Sequence, residues 1–312
     1  MTFQERYKYN PETDWIGKGG LTRVYRATDL VLERDVAIKV FRPKIEGQYS
    51  EIEDIKKVIW LNHPNLLRYY DVVMVQYTSA FRDSELLQIG IMELANAGNL
   101  QSFAREYPNS PILFGLLKQV LYGLHYLHKK GIIYQNLGPQ NILLMEEEGE
   151  LIAKIADYGI SRDLIIREDF IIPIVIPRYM TPEQIYAEKY GINGKIGTNS
   201  DLWSFGVMVY ELITDRPLFG NPGTPTEQVM AAILADELPS DVENLPELYN
   251  ALVKICLVKY ARKRIQTVAE LLEILEGVKP MPVAHPKSSV NFTLLVFILG
   301  LFLGAVLVYF LL

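Results

Sequence analysis

The sequence predicts an α+β fold with two lobes, a smaller β-rich lobe followed by a larger helical lobe, and one transmembrane helix after them. Three observations support this prediction. Short β-branched stretches dominate the first third of the chain. Apolar residues recur at helical spacing through residues 95–277. The final residues, 290–312, carry no charge and are almost wholly apolar, which is typical of a membrane-spanning helix.

The β-rich lobe is predicted over residues 9–94. Residues 36–41 form a β-branched run that favours a strand. Isoleucines recur at helical spacing over residues 52–59, and Pro64 ends that segment because proline cannot continue a helix. The lobe is therefore expected to hold several strands and one helix.

The helical lobe is predicted over residues 95–277. Leucine and valine side chains over residues 113–127 fall on one face of a helix. A second helix carries apolar residues over 202–212, and Asn199 or Ser200 supplies its N-cap. Because a small β-rich part precedes a larger helical part, we expect a cleft between the two.

The C-terminal segment predicts a membrane anchor. Residues 278–289 contain three prolines and form a semi-extended linker. At about 1.5 Å per residue, a helix over residues 290–312 is long enough for a bilayer core of about 30 Å. The N-terminus has no apolar run, so no secretory signal is expected. We therefore expect a single-pass C-terminal anchor in membrane lipid, with the preceding domain in the cytoplasm, and Lys279 and Lys287 lie on the expected side.

Two glycines within the predicted anchor are spaced as in paired membrane helices. Gly300 and Gly304 form a G-x-x-x-G pattern, which lets two helices approach closely. A dimer through these glycines is one interpretation. Glycine is also common in membrane spans that do not pair, so the alternative of an ordinary span stays open.

Composition excludes some classes of function. The net charge of −6 argues against nonspecific nucleic-acid binding, so no nucleic acid is expected as a partner. Cys256 is the single cysteine of the sequence. A single cysteine rules out an internal disulfide and fits a reducing compartment.

A glycine-rich segment and a strand lysine indicate a phosphate-binding site. Gly17-Lys18-Gly19 opens a strand-like stretch, and Val24 follows at the G-x-G-x-x-x-x-V spacing. Glycines at such positions let backbone N–H groups approach phosphates, although a hairpin turn uses glycines equally well. Lys39, twenty-two residues after Gly17, adds a lysine on a predicted strand.

Further motifs follow in order along the chain: Pro139-Gln140-Asn141, Asp157-Tyr158-Gly159, Thr181-Pro182-Glu183, and the segment from Asp201 to Gly206. With the glycine-rich segment and Lys39, this series resembles the protein kinase family, nearest to its Ser/Thr branch, over about residues 9–275. The resemblance implies a β-rich N-lobe, a helical C-lobe and a hinge at Glu93-Leu94-Ala95. It also implies that the cofactors are ATP and Mg²⁺.

The resemblance assigns nucleotide binding to nine positions. They are Ile16, Gly17, Lys18, Gly19, Val24, Ala37, Lys39, Glu93 and Ala95. Lys39 would bind the α- and β-phosphates, and Asn141 and Asp157 would hold Mg²⁺. Met92 stands where the residue that guards the back of the ATP pocket belongs.

Two positions on the nucleotide side differ from the family pattern. Thr22 stands in place of the third glycine. The acid that pairs with Lys39 aligns with Asp54, whose side chain is one methylene shorter than the usual glutamate. Glu51 or Glu53 would take that role if the register shifts by a residue or more.

The phosphate-transfer side departs from the family pattern at three positions. Asn136 stands at the position of the catalytic base, and because an amide has essentially no basicity, general-base help worth about 10²–10⁴ in rate is expected to be absent. Gly138 replaces a lysine that neutralises the transferring phosphate, and Ile176 replaces a threonine that contacts both neighbours. Since these three positions contact one another in the family, the sequence predicts deficient phosphotransfer.

The activation segment shows the same departure. Gln135 replaces the arginine that would hold a phosphorylated loop, and residues 162–180 contain no serine or threonine. The stretch Ile171–Ile176 is strongly apolar. An exposed apolar stretch of this kind either meets a protein partner or folds back onto its own lobe.

Three charged residues are expected to support the fold rather than the chemistry. In the family a buried ion pair joins the positions of Glu183 and Arg264, and the position of Asp201 braces the catalytic loop. We therefore interpret all three as structural.

Three functions are open on the sequence alone. The first is a membrane-anchored pseudokinase that binds ATP and acts in signalling as a scaffold or allosteric regulator. The second is a weakly active or unconventional Ser/Thr protein kinase that transfers the γ-phosphate of ATP to protein hydroxyls. The third is an interaction module that needs no nucleotide.

Overall fold

We analysed the fold in a computed structural model of the chain. It describes residues 1–18, 22–41, 51–78, 84–159, 165–167, 170–172, 177–235 and 237–277. The predicted linker 278–289 and the predicted anchor 290–312, with Gly300 and Gly304, lie outside the described residues. Gly19 and Ile176 lie outside them as well. Within the described residues, no helix is long and apolar enough to cross a membrane.

The N-lobe is built on one antiparallel sheet of six strands. The strands are β1 (Tyr7–Lys8), β2 (Trp15–Lys18), β3 (Thr22–Asp29), β4 (Arg34–Phe41), β5 (Tyr69–Thr78) and β6 (Ser84–Met92). Their order is β1-β3-β4-β6-β5, with β2 also paired to β3. Helix α1 (Phe3–Arg6) precedes the sheet, and helix α2 (Glu51–Val58) packs against β5 and β6.

The predicted strand and helix of this lobe are both present, as parts of β4 and α2. Residues before the predicted start of the lobe also belong to the sheet, because β1 pairs with the end of β3. Arg6 fixes this edge through a bond of 2.9 Å to the buried Asp29. The Arg6 guanidinium holds the pKa of the Asp29 carboxyl below its usual value.

The C-lobe consists mainly of helices. These are α3 (Leu100–Glu106), α4 (Leu113–Lys129), α5 (Pro182–Ile185), α6 (Ala187–Tyr190), α7 (Ser200–Thr214), α8 (Thr226–Leu234), α9 (Glu247–Cys256) and α10 (Val268–Leu275). Short 3₁₀ turns lie at Pro139–Asn141, Pro177–Tyr179 and Ser240–Asn244. Two hairpins, β7 (Ile142–Glu147) with β8 (Glu150–Ile155) and β9 (Ile165–Arg167) with β10 (Phe170–Ile172), complete the lobe.

Helix α7 forms the centre of the C-lobe. All residues from Ser200 to Leu212 are buried, so this helix is covered on every side. Asn199 lies at its N-cap position as predicted, but its side chain makes no capping hydrogen bond. Its amide nitrogen instead donates to the carbonyl of Ala261 at 2.7 Å. The predicted apolar face of α4 is confirmed as buried core.

Candidate functional site

Lys39 and Asp157 form the polar centre of the site between the lobes. Lys39 lies on β4, paired in register with Val24 of β3 and Gly90 of β6. Its Nζ atom lies 2.5 Å from Oδ1 of Asp157, just beyond the end of β8. Asp157 has a left-handed backbone conformation (φ 55°), which is unfavourable for a residue other than glycine and is often found at functional sites. The structure thus brings together two residues that the sequence placed in one nucleotide site.

Asp54 does not form the predicted pair with Lys39. The Asp54 carboxylate is buried on α2 and accepts from Nζ of Lys57 at 2.9 Å. The alternative Glu53 pairs with Lys56 at 2.8 Å. Among the described ion pairs, Lys39 has Asp157 as its acid. An aspartate side chain is short, and the ammonium of Lys39 is already bound by the carboxylate on the other lobe.

The segment Asp157-Tyr158-Gly159 packs tightly against α2. Gly159 has a φ of 74°, and a Cβ atom at this position would lie only 2.3 Å from Cγ1 of Val58. The ring of Tyr158 is fully buried, and its hydroxyl donates to the carbonyl of Leu67 at 2.9 Å. Burial raises the pKa of the Tyr158 phenol above its usual value, so the hydroxyl is a neutral donor.

Asn141 lies beside Asp157, as its predicted role in metal binding requires. The carbonyl of Asn141 accepts from the backbone N–H of Ala156, the residue before Asp157, at 2.9 Å. Its Nδ2 atom donates to the carbonyl of Asn136 at 2.8 Å, which turns Oδ1 away from that contact. Carboxylate and amide oxygens are ligands that Mg²⁺ accepts, together with substrate phosphates and water. The two side chains are of the kind that the predicted ion accepts, and the backbone segments that carry them are hydrogen-bonded to each other.

Two backbone groups of the hinge have no hydrogen-bond partner among the described residues. Glu93 donates its N–H to the carbonyl of Arg68 at 2.9 Å. Among the described residues, neither the carbonyl of Glu93 nor the N–H of Ala95 takes part in a hydrogen bond. Backbone groups of this kind normally find a partner, and a heterocyclic base with a donor and an acceptor on one edge is a suitable one.

The other predicted nucleotide positions lie on the neighbouring strands. Ala37 and Met92 pair across β4 and β6 and are both buried. Gly17 pairs with Val24 across β2 and β3, while Ile16 is half exposed on β2. Lys18 belongs to β2 by its backbone, and its side chain lies outside the description. Strands β2, β3, β4 and β6 therefore form the side of the site that carries Lys39.

The transfer side has an amide at position 136 and a glycine at position 138, where the family has a base and a cation. The Nδ2 atom of Asn136 is buried and has no hydrogen-bond partner among the residues that the structure describes. The side chain of Gln140 folds over Gly138, so that a Cβ atom on Gly138 would lie 2.8 Å from Nε2 and 2.9 Å from Oε1 of Gln140. A lysine at position 138 would have to displace this amide.

The predicted structural residues are confirmed. Arg264 binds Glu183 through two hydrogen bonds of 2.7 and 2.9 Å, and both side chains are buried. Asp201 accepts from the backbone N–H groups of Tyr134 and Gln135 at 2.8 and 2.7 Å. Because Gln135 has a left-handed backbone conformation (φ 56°), these contacts hold a strained loop in place.

Three residues of the site were missed by the sequence analysis. Val58 fixes Gly159, and its helical spacing from Ile55 on α2 was a usable signal. Lys154 lies buried in the otherwise apolar end of β8, which marks it as a paired charge. Gln140 gave no signal, because the fold alone directs its side chain over Gly138.

Comparisons with known proteins agree with this geometry. The chain matches the family model of the protein kinase domain over residues 11–274. It is 31% identical over 261 residues to mitogen-activated protein kinase kinase 10 of Arabidopsis thaliana. The alignment covers 82% of this chain and 80% of the relative.

Two bacterial proteins are also similar. Probable serine/threonine-protein kinase PknB of Bifidobacterium longum is 26% identical over 296 residues, covering 88% of this chain and 41% of the relative. Serine/threonine-protein kinase pkn2 of Myxococcus xanthus is 30% identical over 277 residues, covering 83% and 31%. The chain therefore spans less than half the length of these two relatives.

Proposed function

The chain belongs to the protein kinase domain family, and on that premise we propose that it binds Mg·ATP at a membrane and transfers phosphate poorly or not at all. In this role it is a pseudokinase, a scaffold or allosteric regulator whose output is a conformation or a contact rather than a product.

One contrast carries the proposal. The nucleotide side holds Lys39 against Asp157 at 2.5 Å, with Asn141 alongside. The transfer side holds Asn136, whose buried Nδ2 atom has no hydrogen-bond partner in the described part of the chain, and Gly138 covered by Gln140. A kinase needs both sides, whereas nucleotide binding needs the first alone.

Each binding residue has a separable role. The ammonium of Lys39 would move from Asp157 to the α- and β-phosphates, since both partners are anionic oxygens. Asp157 and Asn141 would hold Mg²⁺, which neutralises charge on the phosphates when bound. The side chain of Asn136 can donate a hydrogen bond to a hydroxyl or accept one from it, but it cannot remove the proton of the hydroxyl.

Nucleotide binding is tested by the thermal stability of the full chain with increasing Mg·ATP. We expect the melting temperature to rise with ligand concentration, because a ligand that binds the folded state stabilises it. Asp157→Asn should lose most of this rise. If neither protein is stabilised, nucleotide binding is excluded and the interaction module becomes the better hypothesis.

Transfer is tested by incubating the full chain with γ-labelled ATP, Mg²⁺ and generic protein substrates. We expect no incorporation above that of Lys39→Met. A signal that disappears in Lys39→Met would replace the proposal with the second candidate, a weakly active Ser/Thr kinase. That candidate has one observation in its favour, namely that the two bacterial relatives are named serine/threonine-protein kinases.

The membrane part of the proposal is supported by the uncharged stretch 290–312. Expressed in cells, the chain should stay in the membrane pellet after extraction with alkaline carbonate. The double variant Phe302→Arg and Val306→Arg should move to the soluble fraction, because each arginine near the centre of a span costs about 2.5–3.5 kcal/mol. Equal behaviour of the two proteins would remove the anchor from the proposal.

A further inference from the structure

Lys154 forms a buried ion pair with Glu93 of the hinge. This ion pair is separate from the nucleotide contacts described above. The Nζ atom of Lys154 lies 3.0 Å from Oε1 of Glu93. The Lys154 side chain is 8% exposed and that of Glu93 is 17% exposed, so water screens this pair weakly. Burying a lysine at the end of a strand costs free energy unless its charge is paired. Glu93 supplies the paired charge for Lys154.

Glu93 is fixed by three contacts around its own peptide. Its N–H donates to the carbonyl of Arg68 at 2.9 Å, and its Oε2 atom accepts from the N–H of Arg68 at 3.2 Å. The Lys154 ammonium holds the remaining oxygen. Together these contacts set the direction of the next peptide, which carries the carbonyl of Glu93 and leads to the N–H of Ala95, the two groups without a partner in the described part of the chain.

Stability alone does not account for such a pair. Replacing a buried ion pair by apolar side chains of similar volume is often neutral or stabilising, because desolvation offsets the attraction between the charges. A charged pair does impose a defined geometry on the groups that it joins. The hinge is a place where that geometry matters, since an adenine edge has to meet two backbone groups at hydrogen-bond distance.

We propose that Lys154 is a positioning residue for adenine recognition, which acts by orienting Glu93 and through it the backbone groups of the hinge. This inference rests on the proposed binding of nucleotide. It predicts that Lys154 supports the adenine end of the ligand, although it lies only three residues from Asp157 at the phosphate end.

The test compares two ligands by calorimetric titration of the full chain. Adenosine contacts the adenine end alone, and Mg·ATP contacts both ends. We expect Lys154→Met to weaken both ligands by the same factor, about tenfold, because a misplaced hinge loses the same hydrogen bond to adenine in both complexes. Asp157→Asn, the matched control, should weaken Mg·ATP much more than adenosine, because its carboxylate lies at the phosphate end.

Conservative and double variants separate positioning from folding. Lys154→Arg keeps the charge and should bind adenosine within about threefold of the natural chain. Lys154→Met combined with Glu93→Gln leaves no unpaired charge, so it should fold even if the single variant does not. If the pair positions the hinge, this double variant binds adenosine no better than Lys154→Met or Glu93→Gln alone.

The outcomes distinguish the inference from its premise. A natural chain that binds neither ligand removes the premise. A natural chain that binds both, with the double variant binding adenosine equally well, overturns the role of Lys154. A Lys154→Met protein that loses Mg·ATP but keeps adenosine overturns it as well, because Lys154 then acts on the phosphate end.

Discussion

The two sides of the cleft are held by the same kind of scaffold but offer different chemistry. On the nucleotide side, the buried Tyr158 hydroxyl donates to a backbone carbonyl, and on the transfer side Tyr134 does the same to Ala156 at 2.7 Å. The nucleotide side adds a lysine and a carboxylate, while the transfer side adds an amide and a glycine. The difference teaches that a shared scaffold of buried tyrosine hydroxyls does not fix which polar groups each side presents.

The largest expected effect is a gain of phosphotransfer. Restoring the acid and the cation with Asn136→Asp and Gly138→Lys, and removing the overlying amide with Gln140→Ala, should raise incorporation from γ-labelled ATP by about 10²–10⁴. Adding Lys39→Met to this variant is the control and should abolish the signal. The same protein with Gln140 retained should gain less, since that amide occupies the space of the new side chain.

A negative result would contradict the comparison between the two sides of the cleft as it is drawn above. A triple variant that binds Mg·ATP but stays at background would mean that the defect extends beyond Asn136 and Gly138. Position 176, where the sequence has isoleucine, would be the next to change, with Ile176→Thr added to the same background.

The second effect concerns the packing of α2 against the nucleotide side. Gly159→Ala should lower the free energy of unfolding by about 3 kcal/mol, because it adds both backbone strain and an overlap with Val58. Gly131→Ala is a matched control, with the same φ of 74° but open space around the added Cβ, and should cost about 1 kcal/mol. Chemical denaturation of both variants measures the difference, and equal losses would rule out a tight contact with Val58.

A smaller effect tests whether the scaffold is equivalent on both sides. Tyr134→Phe and Tyr158→Phe should each cost about 1 kcal/mol of stability, since each leaves a buried carbonyl without its donor. Denaturant melts of the two variants should therefore shift alike. A large loss of stability in Tyr158→Phe with none in Tyr134→Phe would show that the two sides do not share an equivalent scaffold.

The smallest effect is expected at Asn136 itself. Asn136→Leu should change stability by less than about 0.5 kcal/mol or raise it, because the buried amide nitrogen has no partner among the described residues to lose. Asn141→Leu should cost about 1 kcal/mol, since that amide donates to the carbonyl of Asn136 at 2.8 Å. A clear loss in Asn136→Leu would indicate that its amide is bound in solution.

Much of the fold could be predicted from local patterns. The strand over 36–41, the helix over 52–59 and the buried face over 113–127 each follow from the period at which apolar residues recur. Sequence order also assigned Lys39 and Asp157 to one site, and they lie in contact. The predicted Lys39–Asp54 pair is not among the described ion pairs, where the Lys39 ammonium binds Asp157 and the Asp54 carboxylate binds Lys57.

The sequence by itself determined which chemical groups this protein has: a lysine, a carboxylate and an amide for a nucleotide, and an amide and a glycine where a base and a cation would act. The tertiary structure decided which atoms meet. Lys39 and Asp157 are 118 residues apart, and whether their charges touch depends on how two lobes pack. Likewise, Gln140 covers Gly138 and Lys154 reaches Glu93 because the backbone directs those side chains there. Periodicity carries information on burial, but contacts between distant segments depend on packing, which a local pattern does not contain.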